Sequence, residues 1–253
     1  MPSCLVTGAA RRIGAGLTRA LVAKGWIVVA HYNGSAEAAD ALAEELGRSH
    51  VKPLQADLEN GAEVSGLIAS AAKLAGEPLS LLVNNASLFE EDHSGTLEDG
   101  KWDRHMQVNL KAPAFLAQAF AAQVPGGETG LIVNLLDQKL WNLNPDFFSY
   151  TVSKAGLRVV TEMLAQALAP NVRVCGIAPG IVLPSTYQSD KHFEEVHNMN
   201  PLGRGANVED IARTLLFLLD SPAISGQTIL VDGGQHFSGQ ARDVLYAEPG
   251  RND

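Results

Sequence analysis

The sequence is short of cysteine, of positive charge and of long apolar runs, and each shortage excludes a class of protein. Its 253 residues contain only Cys4 and Cys175, too few for a disulfide scaffold, and both lie in apolar, strand-like runs. The 19 basic and 28 acidic side chains leave a net charge of −9, which disfavours a nucleic-acid binder. No apolar run reaches the roughly 20 residues of a membrane helix. No basic leader precedes Thr7-Gly8, so we expect no signal peptide and a cytoplasmic protein.

Short apolar segments alternate with longer segments of helical spacing along the chain. Several short segments are apolar without alternation, which is typical of parallel strands covered on both faces. We therefore predict an α/β fold, a single doubly wound parallel sheet of about seven strands with helices on both faces. The predicted strands are Ser3–Thr7, Trp26–His31, Val51–Ala56, Leu79–Asn84, Gly130–Leu135, Val172–Ile177 and Thr228–Val231. The predicted helices are Ile13–Gly25, Ser35–Gly47, Ala62–Gly76, Lys101–Val124, Phe147–Leu168 and Val208–Leu219.

No repeat, low-complexity tract or linker divides the chain, so we expect one domain over residues 1–237. Within it, residues at about 181–207 are long, mixed in polarity and flanked by prolines, which is typical of a lid. Residues 238–253 form a tail without a clear period. Such a tail is either disordered or held by a partner subunit.

A glycine-rich stretch from Thr7 to Gly16 follows the first strand and opens the first helix. Glycines let the backbone turn sharply and approach a phosphate closely, and the helix N-terminus supplies N–H donors for the anion. This context predicts a dinucleotide-binding loop, the alternative being a tight structural turn. The residues expected at the phosphates are Gly8, Arg11, Arg12, Ile13 and Gly14.

The segment after the second strand indicates which nicotinamide cofactor binds. An acidic residue there would bind the ribose 2′-hydroxyl and repel a 2′-phosphate. Here the segment carries His31, Tyr32, Asn33 and Ser35 and no carboxylate. Arg12 can reach the same place and bond a phosphate, although it could also be a solvated surface arginine. We therefore predict NADPH (as NADP+ after oxidation) rather than NADH.

Polar residues also follow the third and fourth strands. Asp57, with Leu58, either holds the adenine edge or caps the next helix. Asn85, Ala86 and Ser87 either border the cofactor or form a turn. Because the carboxyl ends of parallel strands meet at one edge of the sheet, we interpret both segments as cofactor-binding.

Tyr150 and Lys154 lie four residues apart in the helix predicted after the fifth strand, so they share one helix face. A tyrosine hydroxyl, with a pKa near 10, is a poor acid–base catalyst at neutral pH. A neighbouring ammonium favours the phenolate, so we expect Lys154 to lower the pKa of Tyr150. The lysine can also bond the nicotinamide ribose.

The order of these motifs resembles the short-chain dehydrogenase/reductase family. Thr-Gly-x₅-Gly, Asn-Asn-Ala, Tyr-x₃-Lys and the Pro179-Gly180 turn occur in sequence and context from Ser3 to about Gly234. The resemblance implies a Rossmann fold and a homotetramer or a homodimer. It also implies that Asn109 orders a proton-relay water. The residues that it places at the nicotinamide are Pro179, Gly180, Ile181 and Val182.

Two departures from the family's main branch resemble the pteridine and dihydromonapterin reductases. Arg12 replaces the middle glycine of the first motif, and Asp137 stands 13 residues before the tyrosine, where the main branch has serine. A carboxyl group suits a nitrogen-rich substrate whose ring must be protonated. Phe89, two residues after Asn-Asn-Ala-Ser, is similar to the phenylalanine that stacks on the pterin ring in those enzymes.

We therefore hypothesise an NADPH-dependent reductase of a dihydropterin, or of dihydrofolate, with catalytic residues Asp137, Tyr150, Lys154 and Asn109. One alternative is a carbonyl or 3-oxoacyl thioester reductase, and another is an NADP-binding sensor that docks a partner without turnover. The scattered histidines predict no metal site. The predicted substrate contacts are Ser87, Phe89, Asp137, Tyr150 and Leu183.

Overall fold

A computed structural model of the protein describes residues 1–185 and 189–246. Its seven strands are all parallel, in the order β3-β2-β1-β4-β5-β6-β7, which confirms the predicted fold class. The strands are β1 (Ser3–Val6), β2 (Ile27–Tyr32), β3 (Val51–Gln55), β4 (Leu81–Asn84), β5 (Gly130–Leu135), β6 (Val172–Pro179) and β7 (Thr228–Val231). The helices are α1 (Arg12–Ala23), α2 (Ala36–Leu46), α3 (Gly61–Ala75), α4 (Asp99–Met106), α5 (Ala112–Gln123), α6 (Phe148–Ala167), α7 (Asp190–His197) and α8 (Val208–Leu219).

The central strands are apolar throughout because both faces of the sheet are covered. In β1, Cys4 and Val6 pack in the core beneath α1 and α8, whereas Leu5 packs in the core beneath α3 and α5. All three side chains are fully buried, and each buried leucine or valine contributes about 1.5–3 kcal/mol relative to exposure. Both cysteines are buried and unpaired. No helix among the described residues is both long and apolar enough to cross a membrane.

The single helix predicted over Lys101–Val124 is wrong in one respect. The segment folds as α4 and α5 joined by a π-helical turn, Gln107–Lys111. In an α-helix the carbonyl of Asn109 would accept the N–H of residue 113, but that residue is Pro113, which has no N–H. The wider π turn is consistent with this missing donor, and it places Asn109 in the distorted stretch.

The lid and the tail both return to the carboxyl edge of the sheet. The lid contains α7, and residues 186–188 within it lie outside the described part. Residues 238–246 of the tail pack on their own chain, so they are not disordered, and their role in contacts with a partner subunit stays a prediction. Asp243 pairs with Lys139 at 2.6 Å, and Arg242 pairs with Asp146 at 2.8 Å.

Candidate active site

A cleft of about 580 Å³ opens at the carboxyl ends of the strands, beside the point where the strand order reverses between β1 and β4. Among the predicted site residues, Tyr32, Ser35 and Asn109 do not line the cleft. The predicted residues that do line it are Gly8, Arg11, Arg12, Ile13, Gly14, His31, Asn33, Asp57, Leu58, Asn85, Ala86, Ser87, Phe89, Asp137, Tyr150, Lys154, Pro179, Gly180, Ile181, Val182 and Leu183.

The glycine-rich loop is fixed by close backbone approach. Gly8 has φ +62°, which favours glycine, and a Cβ on Gly14 would lie 2.1 Å from the Gly8 carbonyl oxygen. The Asn85 amide donates to the carbonyls of Thr7 and Gly8 at 2.8 and 3.1 Å. No side chain caps the first turn of α1 within the described residues, so its N–H groups remain available to an anion. This geometry fits a dinucleotide pyrophosphate.

Arg12 contacts the lid rather than the place expected for the ribose phosphate. Its guanidinium donates to the carbonyls of Pro184 and Leu183 at 2.7 and 3.4 Å. Its backbone has φ 54°, the left-handed region that the family's glycine would adopt without strain. Arg11 is exposed at the cleft and makes no hydrogen bond or ion pair to the described residues. Among the residues that the structure describes, Arg11 is therefore an unpaired cation at the cleft.

His31 supports the loop from beneath. It is buried, its Nδ1 accepts the Gly8 N–H at 3.1 Å, and its Nε2 lies 3.0 Å from the Ala56 carbonyl. A proton on Nε2 satisfies both contacts, and burial lowers the pKa of His31, so the neutral ring fits the site. His31 therefore positions Gly8 rather than supplying charge.

The residues after β2 and β3 meet at the far end of the cleft. The Asp57 carboxylate accepts the Glu59 N–H at 2.9 Å and lies 3.5 Å from the Asn33 amide nitrogen. Helix α3 is capped by Asn60, so capping that helix is not the role of Asp57. Ser35 lies at the N-cap of α2, but its side chain makes no capping hydrogen bond. Its hydroxyl is therefore not committed to the helix.

Asp137 and Tyr150 form a buried hydrogen-bonded pair. The Tyr150 hydroxyl donates to Asp137 Oδ2 at 2.6 Å, and the Lys139 N–H donates to Oδ1 at 2.8 Å. Burial raises the pKa of Asp137 even though both hydrogen bonds oppose the shift. Lys154 Nζ donates to the Leu135 carbonyl at 2.7 Å, and burial lowers the pKa of Lys154 to about 8.

The expected effect of Lys154 on Tyr150 is wrong for this arrangement. The pKa of Tyr150 lies well above 10, first because the ring is buried and next because the Asp137 carboxylate opposes a phenolate. Lys154 Nζ lies 5.8 Å from the centre of the tyrosine ring, without a hydrogen bond to its hydroxyl. Tyr150 therefore keeps its hydroxyl proton at neutral pH and is suited to act as an acid.

Asn109 lies behind the cleft rather than in it. Its Oδ1 accepts the Leu88 N–H at 2.7 Å, while its Nδ2 donates to the Leu88 carbonyl at 2.9 Å and to Ser153 Oγ at 3.0 Å. The amide is thus fully used in tying the loop after β4 to α6. Any ordering of a relay water by this residue would therefore fall to its backbone carbonyl.

An aromatic wall closes the substrate side. Phe89 stacks on Phe147 with centroids 4.1 Å apart and meets Tyr150 edge-on at 4.7 Å. Phe147 is fully buried and has φ 52°, directly before the first turn of α6. Asp92 accepts the Ser149 N–H at 3.0 Å in the same turn and so fixes the helix end that carries Tyr150. Neither Phe147 nor Asp92 belongs to a motif that the sequence would reveal.

Sequence reasoning also missed the substrate wall beyond Asp137. Gln138 and Lys139 follow it in a short 3-10 turn, Gln138–Trp141, and the tail contributes residues 243–245. The tail has no periodic pattern, so its sequence does not predict that it returns to the cleft. The further lining residues that we did not predict are Glu59, Leu88, Val108, Leu135, Leu136, Ser185 and Gln235.

Comparisons with known proteins agree with this architecture. A family model described as enoyl-(acyl carrier protein) reductase matches residues 8–236. FolM alternative dihydrofolate reductase 1 from Brucella suis, solved in complex with NADP, is 43% identical, has a TM-score of 0.91 and covers 96% of this chain and 98% of its own. FolM alternative dihydrofolate reductase 1 from Brucella canis, complexed with NADP, is also 43% identical with a TM-score of 0.91. The match covers 96% of this chain and 96% of the Brucella canis chain.

A curated relative with a different substrate also matches over most of its length. The 3-oxoacyl-acyl-carrier-protein reductase FabG of Staphylococcus aureus is 33% identical over 241 residues, which are 92% of this chain and 98% of the relative. Family model, relatives and geometry agree on the class of protein. The chain belongs to the short-chain dehydrogenase/reductase family, as its motifs predicted.

Proposed function

We propose that this chain reduces a dihydropterin, or dihydrofolate, to the tetrahydro form with NADPH. The observation that carries the proposal is the 2.6 Å hydrogen bond between Tyr150 and Asp137 in a cleft walled by Phe89. The predicted enzyme class, an NADPH-dependent short-chain reductase, is confirmed by the family and by the two NADP-bound FolM structures. The substrate is our inference.

The glycine-rich loop fits the cofactor because its backbone leaves no room for side chains at Gly8 and Gly14. When bound, NADPH would supply the hydride for the carbon of the ring C=N bond and would itself be oxidised to NADP+. The nitrogen must then gain a proton for the reaction to balance. Tyr150 keeps its proton beside the cleft, and burial raises the pKa of Asp137, so this carboxyl group can take up a proton and pass it on. A serine in its place would have no acidic proton to exchange near neutral pH.

The remaining predicted residues keep supporting roles. Lys154 lies under the pair and is free to exchange its Leu135 contact for the nicotinamide ribose. Phe89 lines the cleft and is stacked on Phe147, so the aromatic wall offers a surface that a flat ring can contact. Leu183 and Ser87 lie at the edges of the same cleft.

The FabG relatives favour a second candidate, a carbonyl or 3-oxoacyl thioester reductase. In that reaction a hydroxyl hydrogen-bonds the substrate carbonyl, and Asp137 would only be a tolerated replacement. The NADP-binding sensor remains the alternative of another class, although the hydrogen-bonded Tyr150 and Asp137, with Lys154 beside them, favour turnover.

The experiment follows NADPH oxidation with 7,8-dihydrobiopterin, dihydromonapterin and dihydrofolate beside an acetoacetyl thioester and a small diketone. We expect turnover of the pterins, lost in Asp137→Ala and not restored in Asp137→Ser. Turnover of the carbonyl compounds alone, retained in Asp137→Ser, would overturn the proposal. NADPH binding without turnover on the whole panel would support the sensor.

We further propose a cytoplasmic homotetramer, or a homodimer, formed through α5 and α6. Phe115, Val159 and Met163 on these helices are 51%, 54% and 64% exposed, more than a lone monomer usually leaves on neighbouring helices. Light scattering should give a molar mass well above that of one chain. A clean monomer would refute the assembly without affecting the proposed reaction.

A further inference from the structure

Gln138 has an unpartnered side-chain oxygen in the wall of the cleft. The residue is 8% exposed and lines the cavity directly after Asp137. Its Oε1 is buried and has no hydrogen-bond partner among the described residues. Buried polar atoms in folded proteins almost always have a partner, because the lost hydration is otherwise not replaced. The unpartnered carbonyl therefore points to a group that arrives with a ligand.

The neighbours of Gln138 are satisfied. Asp137 accepts hydrogen bonds from Tyr150 and from the Lys139 backbone at 2.6 and 2.8 Å. Lys139 Nζ donates to Asn144 at 2.5 Å and pairs with Asp243 at 2.6 Å. The wall is thus a polar network in which the Gln138 carbonyl is left over.

The tail keeps water away from this position. Asp243 is 8% exposed, and Asp243, Val244 and Leu245 line the same cleft as Gln138. The tail is held there by the buried Lys139 pair and by the contact of Arg242 with Asp146. With bulk solvent excluded, a ligand atom can satisfy the amide without competition from many waters.

We propose that Gln138 binds the substrate directly, with Oε1 accepting a ring or amino N–H, and so determines specificity. The inference rests on the proposed function and names a residue that recognises the pterin by a hydrogen bond. A carboxamide offers one acceptor and two donors and carries no charge, which matches the lactam and amino groups of a pterin. The positive charge of Lys139 is already paired with Asp243, so this wall does not offer a free cation to a carboxylate.

The same residue separates the two candidate substrates. A 3-oxoacyl thioester presents carbonyl acceptors and no N–H donor at its reacting end, so it would leave Gln138 Oε1 unsatisfied. Sites with buried polar groups reject ligands that cannot pair them. Gln138 therefore favours the pterin over the thioester.

The test compares Gln138→Met with Gln235→Met. Both glutamines are 8% exposed and line the cleft, but Gln235 Oε1 already accepts the Ile181 N–H at 3.1 Å. Methionine keeps the length and flexibility of the side chain and removes its hydrogen bonds. Steady-state kinetics with dihydrobiopterin, NADPH titration by fluorescence and thermal unfolding are measured on both variants and on the wild type.

For Gln138→Met we expect KM for dihydrobiopterin to rise roughly threefold to tenfold, the value of one neutral hydrogen bond. NADPH affinity should stay unchanged, and Tm should stay equal or rise, because an unsatisfied group is removed. Gln235→Met should lower Tm, because a satisfied hydrogen bond is lost.

Three outcomes would overturn the inference. A KM within twofold of wild type, in an enzyme that reduces pterins, would refute Gln138 as a substrate ligand and leave the proposed function intact. A lower Tm with unchanged KM would show a structural role. Wild-type enzyme that reduces no pterin would refute the proposed function itself, and the inference with it.

Discussion

The two ends of the cleft are built in different ways. At the cofactor end, the groups held in place belong to the backbone: the Gly8 N–H donates to His31, the Gly8 carbonyl accepts from Asn85, and Gly14 has no room for a side chain. At the substrate end, side chains carry the structure: Tyr150 on Asp137, and Lys139 on Asp243. The cofactor end tolerates few residue types, so a short sequence motif predicts it. The structure of the substrate end depends on contacts between side chains that are distant in the sequence.

This difference has an energetic side. A backbone cradle is neutral and accepts a phosphate without a buried charge. The substrate end instead buries two ionisable pairs, and burial shifts the pKa values of Asp137 and Lys154 in opposite directions. Ionisable groups with shifted pKa values cluster where proton transfer takes place. We therefore expect substitutions at the substrate end to have the larger effects.

The largest effect is expected for Asp137→Ala. Removal of the carboxyl group takes away a proton donor and the partner of the Tyr150 hydroxyl. We expect kcat/KM for dihydropterin to fall by about 10²–10⁴, the usual contribution of general acid catalysis. NADPH affinity, measured by fluorescence titration, serves as the control and should change little. An active Asp137→Ala enzyme would place the chemistry elsewhere.

A second prediction concerns the tail. Lys139→Met leaves the Asp243 carboxylate buried without its cation, and breaking such a pair typically costs about 3–5 kcal/mol. Urea denaturation should show this loss, together with a weaker substrate KM. Arg242→Ala is the comparison variant from the same tail. Its cation is exposed, and its buried partner Asp146 still accepts the Asp243 N–H, so we expect a smaller loss of stability.

If the double variant Lys139→Met/Asp243→Leu recovers the stability lost in Lys139→Met, the cost comes from the unpaired charge. If the double variant remains as unstable as the single variant, the packing of the lysine chain is responsible instead. Equal losses of stability in Lys139→Met and Arg242→Ala would show that burial of the cation makes no difference to the cost of removing it.

The pH dependence sharpens the comparison further. The Asp243 carboxylate raises the pKa values of both Asp137 and Tyr150. In Asp243→Asn that negative charge is gone and the Lys139 charge is unpaired, and both changes lower the two pKa values. The high-pH limb of the kcat/KM profile should therefore move to lower pH. Asp243→Glu keeps the charge and should keep the wild-type profile; a limb that does not move in Asp243→Asn would exclude the tail from acid–base control.

The same contrast explains how far the sequence could predict the structure. The strands were predictable because burial on both faces requires apolar runs, and Gly8, Tyr150 and Lys154 were predictable because they lie in local motifs. The Lys139–Asp243 pair joins residues 104 positions apart, and the Arg242–Asp146 pair joins residues 96 apart. No short pattern encodes such contacts. The π turn at Asn109 could have been predicted from Pro113, which lacks the N–H that an α-helix would need there. The helical spacing of the whole segment favoured a single helix instead.

Smaller effects are expected for substitutions at the cofactor end of the cleft. Arg11 is the cation at the cleft without a partner in the described chain, so we assign it the attraction of the NADPH phosphates. Arg11→Ala should raise KM for NADPH severalfold, raise KM for NADH less, and leave kcat unchanged. The difference should shrink at high salt, because exposed charges are screened. An identical change for both cofactors would assign Arg11 to the shared pyrophosphate instead of the 2′-phosphate.

The smallest change in stability is expected for Arg12→Gly. The left-handed backbone at Arg12 costs about 1–2 kcal/mol for a residue with a side chain, and glycine removes that cost. The same substitution removes the hydrogen bonds to Pro184 and Leu183 and gives the unfolded chain more freedom, which offsets the gain. Net stability in urea should change by less than about 1 kcal/mol, while KM for NADPH rises because the lid loses its hydrogen bonds to the loop.

Arg12→Ala keeps the strain and loses the same contacts, so it should be less stable than Arg12→Gly with a similar KM. If Arg12→Ala is instead the more stable variant, the strained backbone is not relieved by glycine, and the arginine is held there for its contacts alone.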